Sequence, residues 1–464
     1  MMHKRMMLLG ILTVAVLMLV WQGALAATNF ANGEATAVAT PITRVHDPVV
    51  ITGSQLSAFQ GAPLADLVLY AYVAATWQAV PFQIDEVDAD DNFVALEDGV
   101  LDGNDQLAFM PMDAGGWVSA TTWVSDVTAV AYPRYAITVT NPLSPTEMGW
   151  VYLYRSPTLP RAATQYIAWD EAAQMVTAVS YTLRFDPQNF LGVADMTLNG
   201  TAVDVLDRQK LRATATIYVG PFPIGTQQIN EESILDFLTE PVTITLPIVG
   251  PVRAVGGNVT QQFTLYGARA DFAISIPVGR QDVPGVPNTS FTIDALRSSL
   301  DLLEPTATGM APTTYYDSNT PAGVPVDGSP DAVPSTPLAN WQQFDGALGG
   351  FVMLTDIGLD SGTVTNFYLD NGNFNADDTG DGRSFGDTGF AITDPDGILD
   401  IWQTIYFLRG SQGNQGTMVT AWAANPLTAV TGAQWFEGVE GPGTAVYLPL
   451  ITIQVELGTE KITD

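Results

Sequence analysis

The chemistry open to this chain rests on carboxylates, and two stretches concentrate them. Between Ala79 and Asp113 stand Asp85, Glu86, Asp88, Asp90, Asp91, Glu97, Asp98, Asp102, Asp105 and Asp113. No Lys or Arg occurs between Arg44 and Arg134. Like charges so crowded repel one another unless cations or solvent relieve them. Asp88, Asp90 and Asn92 alternate oxygen-bearing side chains, and Asp98, Asp102, Asn104 and Asp105 gather around Gly103. Hard oxygen ligands at short spacing suit calcium, which takes about six to eight of them.

The second stretch runs from Asp370 to Asp400. Asn371, Asn373, Asn375 and Asp377 alternate, Asp378, Asp381 and Asp387 follow among glycines, and Asp394, Asp396 and Asp400 surround Gly397. Glycines let a backbone turn sharply enough to aim several oxygens at one point. Neither stretch follows an EF-hand. Counted from Asp88 the sixth residue is Phe93, counted from Asp98 the twelfth is Phe109, and counted from Asp377 the third is Thr379. The expectation is calcium on loops of another design. The competing reading is turns alone, since Asp98-Gly99 and Asp102-Gly103 are hairpin dipeptides.

Other chemistries lose their residues. The chain has no cysteine, which removes thiol catalysis, thiolate zinc and iron–sulfur clusters. His46 is the one histidine past the first few residues, so a Ser-His-Asp triad or multi-histidine zinc site would hang on it, and a surface or strand-end role is expected. Phosphate-loop and dinucleotide glycine patterns are missing. A carboxylate pair acting on glycans stays open, with Asp85, Glu86, Asp98 and Asp102 as acids and Trp77, Trp117 or Trp123 stacking on sugar rings. Against it, alternating aromatic residues fill β cores.

The elements that must position these groups alternate with period two and are rich in β-branched and aromatic residues. Strands are predicted around 150–154, 214–219, 242–246, 261–266, 350–354, 364–369, 401–408, 418–423 and 445–455. Two short helices are predicted. One is capped by Asn230 and runs 231–238; the other is capped by Asp294 and runs 295–303, with Leu296, Leu300 and Leu303 in a stripe. The fold expected is mainly β, two or three sandwich or barrel-like domains with one or two packed helices. The division expected is a signal peptide over 1–26, an N-terminal β domain over 27–158 and a middle β-rich domain over 159–304. A proline-rich linker over 305–340 and a C-terminal β domain over 341–464 follow.

Export is expected from the first residues. His3, Lys4 and Arg5 precede an apolar run from Leu8 to Val20, and Ala24-Leu25-Ala26 offers a cleavage site. An uncleaved anchor is the rival, weakened by a run shorter than the roughly 20 residues that span a bilayer. No later segment is long and apolar enough to span. The chain has 49 acids against 17 bases and a net charge of −32, which disfavours nucleic acid and anionic lipid as partners. Hydrophobic residues at 47% argue against disorder.

One segment also carries a resemblance. Val80-Pro81-Phe82-Gln83-Ile84-Asp85-Glu86, then Glu97-Asp98-Gly99-Val100-Leu101-Asp102-Gly103-Asn104-Asp105-Gln106-Leu107-Ala108-Phe109-Met110, resembles a stretch of uncharacterised bacterial secreted β-rich proteins. It is loosely similar to the N-terminal β-domain of rhamnogalacturonan-lyase-like proteins. Those relatives read Asp-Glu-Leu where this chain has Asp105-Gln106-Leu107, and the resemblance transfers no catalytic residue. The function expected is an exported, non-catalytic envelope or extracellular β-protein, secreted or at the cell surface and calcium-stabilised, with a glycan or another envelope protein as partner. The alternative is a secreted glycan-active hydrolase or lyase.

Overall fold

Tyr135, Ile137 and Val139 turn inward from their strand while Ala136, Thr138 and Thr140 sit nearer solvent, the two-residue period of a half-buried strand. That pattern recurs along the chain. The computed structural model describes residues 40–437, apart from 91, 96, 97, 187, 188, 190, 235–242, 259, 260 and 284. The expected leader over 1–26 and the strand expected over 445–455 lie outside the described residues.

The first module holds β1 (Val49–Thr52), β2 (Leu67–Val73), β3 (Thr76–Ala79), β4 (Phe82–Val87), β5 (Phe93–Val94), β6 (Gln106–Phe109), β7 (Arg134–Asn141) and β8 (Ser144–Arg155). One sheet has the order β1-β6-β4-β5. The facing sheet contains β3, β2, β8 and β7 in that order and is completed by β26 (Thr428–Gln434), which returns from the far end of the chain. Ile51, Leu69, Leu107, Ile137 and Leu153 are buried in the core shared by the two sheets. This is sandwich packing.

The second module begins with β9 (Ile167–Asp170), β10 (Met175–Ala178), β11 (Tyr181–Phe185) and β12 (Val193–Leu198), a small antiparallel sheet. It then builds a sheet of 13 strands. These are β13 (Leu206–Val219), β14 (Phe222–Asn230), β15 (Thr245–Val249), β16 (Arg253–Gly257), β17 (Gln261–Tyr266), β18 (Arg269–Pro277), β19 (Gln281–Asp282), β20 (Thr289–Leu302), β21 (Thr314–Asp317), β22 (Val324–Pro325), β23 (Gln342–Gly346), β24 (Gly349–Asn371) and β25 (Ser384–Leu408). The hairpin of β24 and β25 is the spine. The edge of β25 away from β24 is shared, with β20 along residues 385–393 and β18 along residues 398–406. Phe185, Phe263, Tyr315, Phe344 and Phe407 fill the core that joins the small sheet to the large one. Helix α1 (Pro305–Thr308) and helix α2 (Gly416–Ala424) are short.

Four expectations change. Residues 295–302 form strand rather than helix, because β20 is flanked by β13 and β25 and both of its hydrogen-bonding edges are paired. Residues 418–423 are helix rather than strand, with Val419 buried beside Trp341 and Tyr406. The proline-rich stretch over 305–340 is no free linker: it contributes α1, β21 and β22 and sends Tyr315 into the core. Residues 206–302 and 342–408 share one sheet across the boundary expected between the middle and C-terminal domains. Asn230 does cap a turn, its Oδ1 accepting from the N–H of Glu232 and Ser233, and the second half of the helix expected after it, 235–238, lies outside the described residues. No helix among the described residues is long and apolar enough to cross a membrane.

Candidate functional site

The first acidic stretch is a knot of turns. Asp88 Oδ1 accepts the N–H of Asp90 and of Asn92, each at 2.9 Å, and Asn92 Nδ2 donates to both Asp88 oxygens at 3.3 Å. The Asn92 N–H is the main reason the Asp88 carboxyl stands below its ordinary value. Asp98 Oδ1 accepts from Val100 N–H, and Asp105 accepts from Asp102 N–H at 2.7 Å and Val87 N–H at 3.2 Å. Asn104 Nδ2 donates to the carbonyls of Asp88 and Val87. Glu86 Oε1 takes the N–H of Gly99 and Asp98. Asp88, Asn92, Asn104 and Asp105 thus meet through backbone groups, whereas Asp90 is exposed and Asp102 contributes its N–H.

The second stretch divides. Asn373 donates to Asn371, Asn375 Oδ1 accepts from Asp377 N–H, and Asp381 Oδ1 accepts from Arg383 N–H, all in the loop between β24 and β25. Asp394, Asp396 and Asp400 lie within β25 instead; Asp394 has φ of 49°, and Asp400 Oδ1 accepts from Ser275 Oγ. Among the described residues, no three acidic or histidine side chains form a group able to hold a metal ion. Side-chain oxygens of Asp88, Asp98, Asp105, Asn375 and Asp381 accept backbone N–H groups and close turns.

The residues suggested for glycan chemistry have other partners. Asp85 is buried against Arg253. Trp77 and Trp123 wall a box around the buried guanidinium of Arg134, which lies 4.5 Å from the ring centroids of Trp123 and Tyr152. Trp117 alone of the three is exposed. His46 is no surface histidine: it stacks on Trp422 at 5.2 Å, and burial lowers its pKa.

Beneath the second acidic loop lies a charge cluster that sequence reasoning passed over. Lys210 on β13 and Asp301 on β20 are both fully buried, with Nζ 2.6 Å from Asp301 Oδ2. Nζ also donates to Asp378 Oδ2 at 3.0 Å and to the Arg383 carbonyl at 3.1 Å, both on the covering loop. Asp207 stands 4.0 Å away, and Asp387 on β25 is fully buried beside Arg297. Arg212 bridges Asp378 and Glu231, and Thr379 donates to Glu231. Burial, then the nearby Asp387 charge, pushes the Asp301 carboxyl well up, and burial likewise raises Asp387. Burial pulls Lys210 down, but the carboxylates of Asp301 and Asp387 outweigh it and the ammonium is favoured. Lys210, Arg212 and Arg297 share these carboxyls as partners. The available signal was compositional: Lys210 is the single lysine among the described residues, set within a strand.

A solvent-facing feature stands apart from that interior. The register pairs Asp271 with Thr404, Ala273 with Trp402 and Ser275 with Asp400, so one face of β18 and β25 bears all six. Trp402 is 50% exposed. On one side of it opens a groove of about 580 Å³ lined by Asn92, Phe93, Asn258, Gln262 and Asp400. On its other side lies a hollow of about 290 Å³ bordered by Gln262, Thr264, Asp271, Gln403 and Thr404. An indole flanked by amides, hydroxyls and a carboxylate can stack on one face of a ring while its neighbours hydrogen-bond the ring's edge. Asn92, expected as a metal ligand, instead reaches this groove from the acidic turn. No family model matches the chain, and no curated protein matches it.

Proposed function

We propose that this is an exported, non-catalytic envelope or surface protein whose Trp402 face binds a carbohydrate chain. The observation that supports the reading is the half-exposed Trp402 between two hollows edged by Gln262, Asn258, Thr264 and Thr404. Sugars present an apolar face and a hydroxyl rim, and this surface offers the complement to both. The acidic balance of the chain suits a neutral or cationic glycan better than a polyanion. The test is titration of the purified chain with soluble polysaccharides of both classes, followed by calorimetry. Absence of binding to every glycan tried defeats the reading.

A second reading, glycan cleavage, draws on one observation. Asp356 faces Trp402 across the β24–β25 pair, and Asp400 is its diagonal neighbour. Diagonal positions across an antiparallel pair lie about 7–8 Å apart, within the spacing of an inverting carboxylate pair. Scoring the same incubations for new reducing ends or unsaturated products separates the two. Product release abolished in Asp400→Asn assigns an enzyme; binding without products assigns a lectin-like protein.

A further inference from the structure

We infer that Lys210 and Asp301 become joined by an amide bond that forms within the folded chain. Two strands and a loop bring the reactants together: Lys210 on β13, Asp301 on the neighbouring β20 and Asp378 on the loop between β24 and β25. Lys210 and Asp301 are fully buried, so water is kept from the reacting groups. Nζ stands 2.6 Å from Asp301 Oδ2. Oδ1 is held by the Phe385 N–H at 2.9 Å. A donor fixed on one carboxyl oxygen polarises Cγ and leaves the other oxygen to depart. Asp378 Oδ2 accepts from Nζ at 3.0 Å, within reach of a proton that Nζ must lose.

The step balances without any further reactant. Beginning from the ammonium and the carboxylate, Asp378 takes a proton from Nζ, and the free amine forms a bond to Asp301 Cγ. The bond from Cγ to Oδ2 breaks, and that oxygen leaves as water with two of the three ammonium protons, which Asp378 relays. The nitrogen keeps one proton, the charges cancel, and Asp378 ends as it began. Holding amine and carboxyl in contact replaces the activation that amide formation in water would need. The raised proton affinity of Asp301 favours the neutral carboxyl that an amine can attack. The inference stands independently of any carbohydrate on the Trp402 face.

Peptide mapping by tandem mass spectrometry of the purified full chain tests it. The expected result is a branched peptide linking the segments that contain Lys210 and Asp301, one water lighter than their sum and resistant to trypsin at Lys210. Recovery of the two segments as separate, unmodified peptides overturns the inference. So does loss of one water without a branch, since a succinimide at an Asp-Gly pair gives the same mass. In Asp378→Ala, with β signal retained by circular dichroism, the branch is expected to fall at least tenfold. A branch formed equally well in that variant overturns the assigned role of Asp378.

Discussion

Asp85 Oδ2 accepts a hydrogen bond from Arg253 Nε at 2.5 Å, with both side chains almost wholly buried between the two modules. Gln83, two residues earlier on β4, receives the Arg253 N–H on Oε1 and donates Nε2 to Asp85. Strand β4 of the first sandwich is thereby stapled to β16 of the large sheet. Removing one partner leaves a buried charge uncompensated. Arg253→Met is expected to cost about 3–5 kcal/mol by denaturant titration, and Arg253→Met with Asp85→Leu to recover most of that. Equal loss in the single and double variants would contradict the staple.

Trp402 lies half in solvent, so its removal touches the surface and spares the core. In Trp402→Ala the unfolding free energy is expected to change by less than about 1 kcal/mol. Carbohydrate affinity should fall by roughly tenfold or more, since aromatic stacking contributes on the order of 1 kcal/mol or above. Calorimetry on the two proteins side by side reads both quantities.

Burial pushes the Asp113 carboxyl up to about 6, against the opposing hydrogen bonds from Tyr166 Oη at 2.7 and 2.8 Å. A carboxyl whose folded pKa exceeds its unfolded value favours folding while protonated. That contribution is present in full below about pH 4 and disappears as pH rises through about 6. Asp207 and Asp370 are also raised by burial to about 6. Stability is expected to fall from pH 4.5 to 7 by about 1–2 kcal/mol for each group, discounted for partial exposure. Asp113→Asn keeps an acceptor for Tyr166 and should flatten its share of the slope in urea titrations across that range.

Asp88, Asp98, Asp105, Asn375 and Asp381 already accept backbone N–H groups of their own loops. The melting midpoint is therefore expected to agree within about 2 °C in calcium and in EDTA. A rise of several degrees with calcium would assign these turns to a metal after all.

Alternation made the long strands legible. Gln261–Tyr266 matches β17, and residues 350–354, 364–369 and 401–408 fall inside β24 and β25. Period alone failed where two periods fit the same residues. Leu296, Leu300 and Leu303 have helical spacing, but Leu296, Leu300 and Leu302 also suit a strand, and pairing on both sides of β20 decides between them. At α2 the reverse happened: Gly416 lies so close to Trp341 that an added Cβ would meet its ring at 2.1 Å, a contact set by tertiary packing. The acidic turns were visible as composition, though their hydrogen-bond partners were not. Lys210, Asp301 and Asp387 come from strands distant in sequence, and nothing in their local pattern announces the meeting.

Ala429 on β26 pairs with Val139 on β7, and Leu427 and Ala429 pack into the core of the first sandwich. In chain order β26 follows every other strand of the described residues, so it is made after them. The earliest-made sheet must therefore wait with an open edge until the tail arrives, and long-range pairing of this kind is slow. Until β26 docks, β7 presents a row of unpaired backbone groups on which another chain could add a strand.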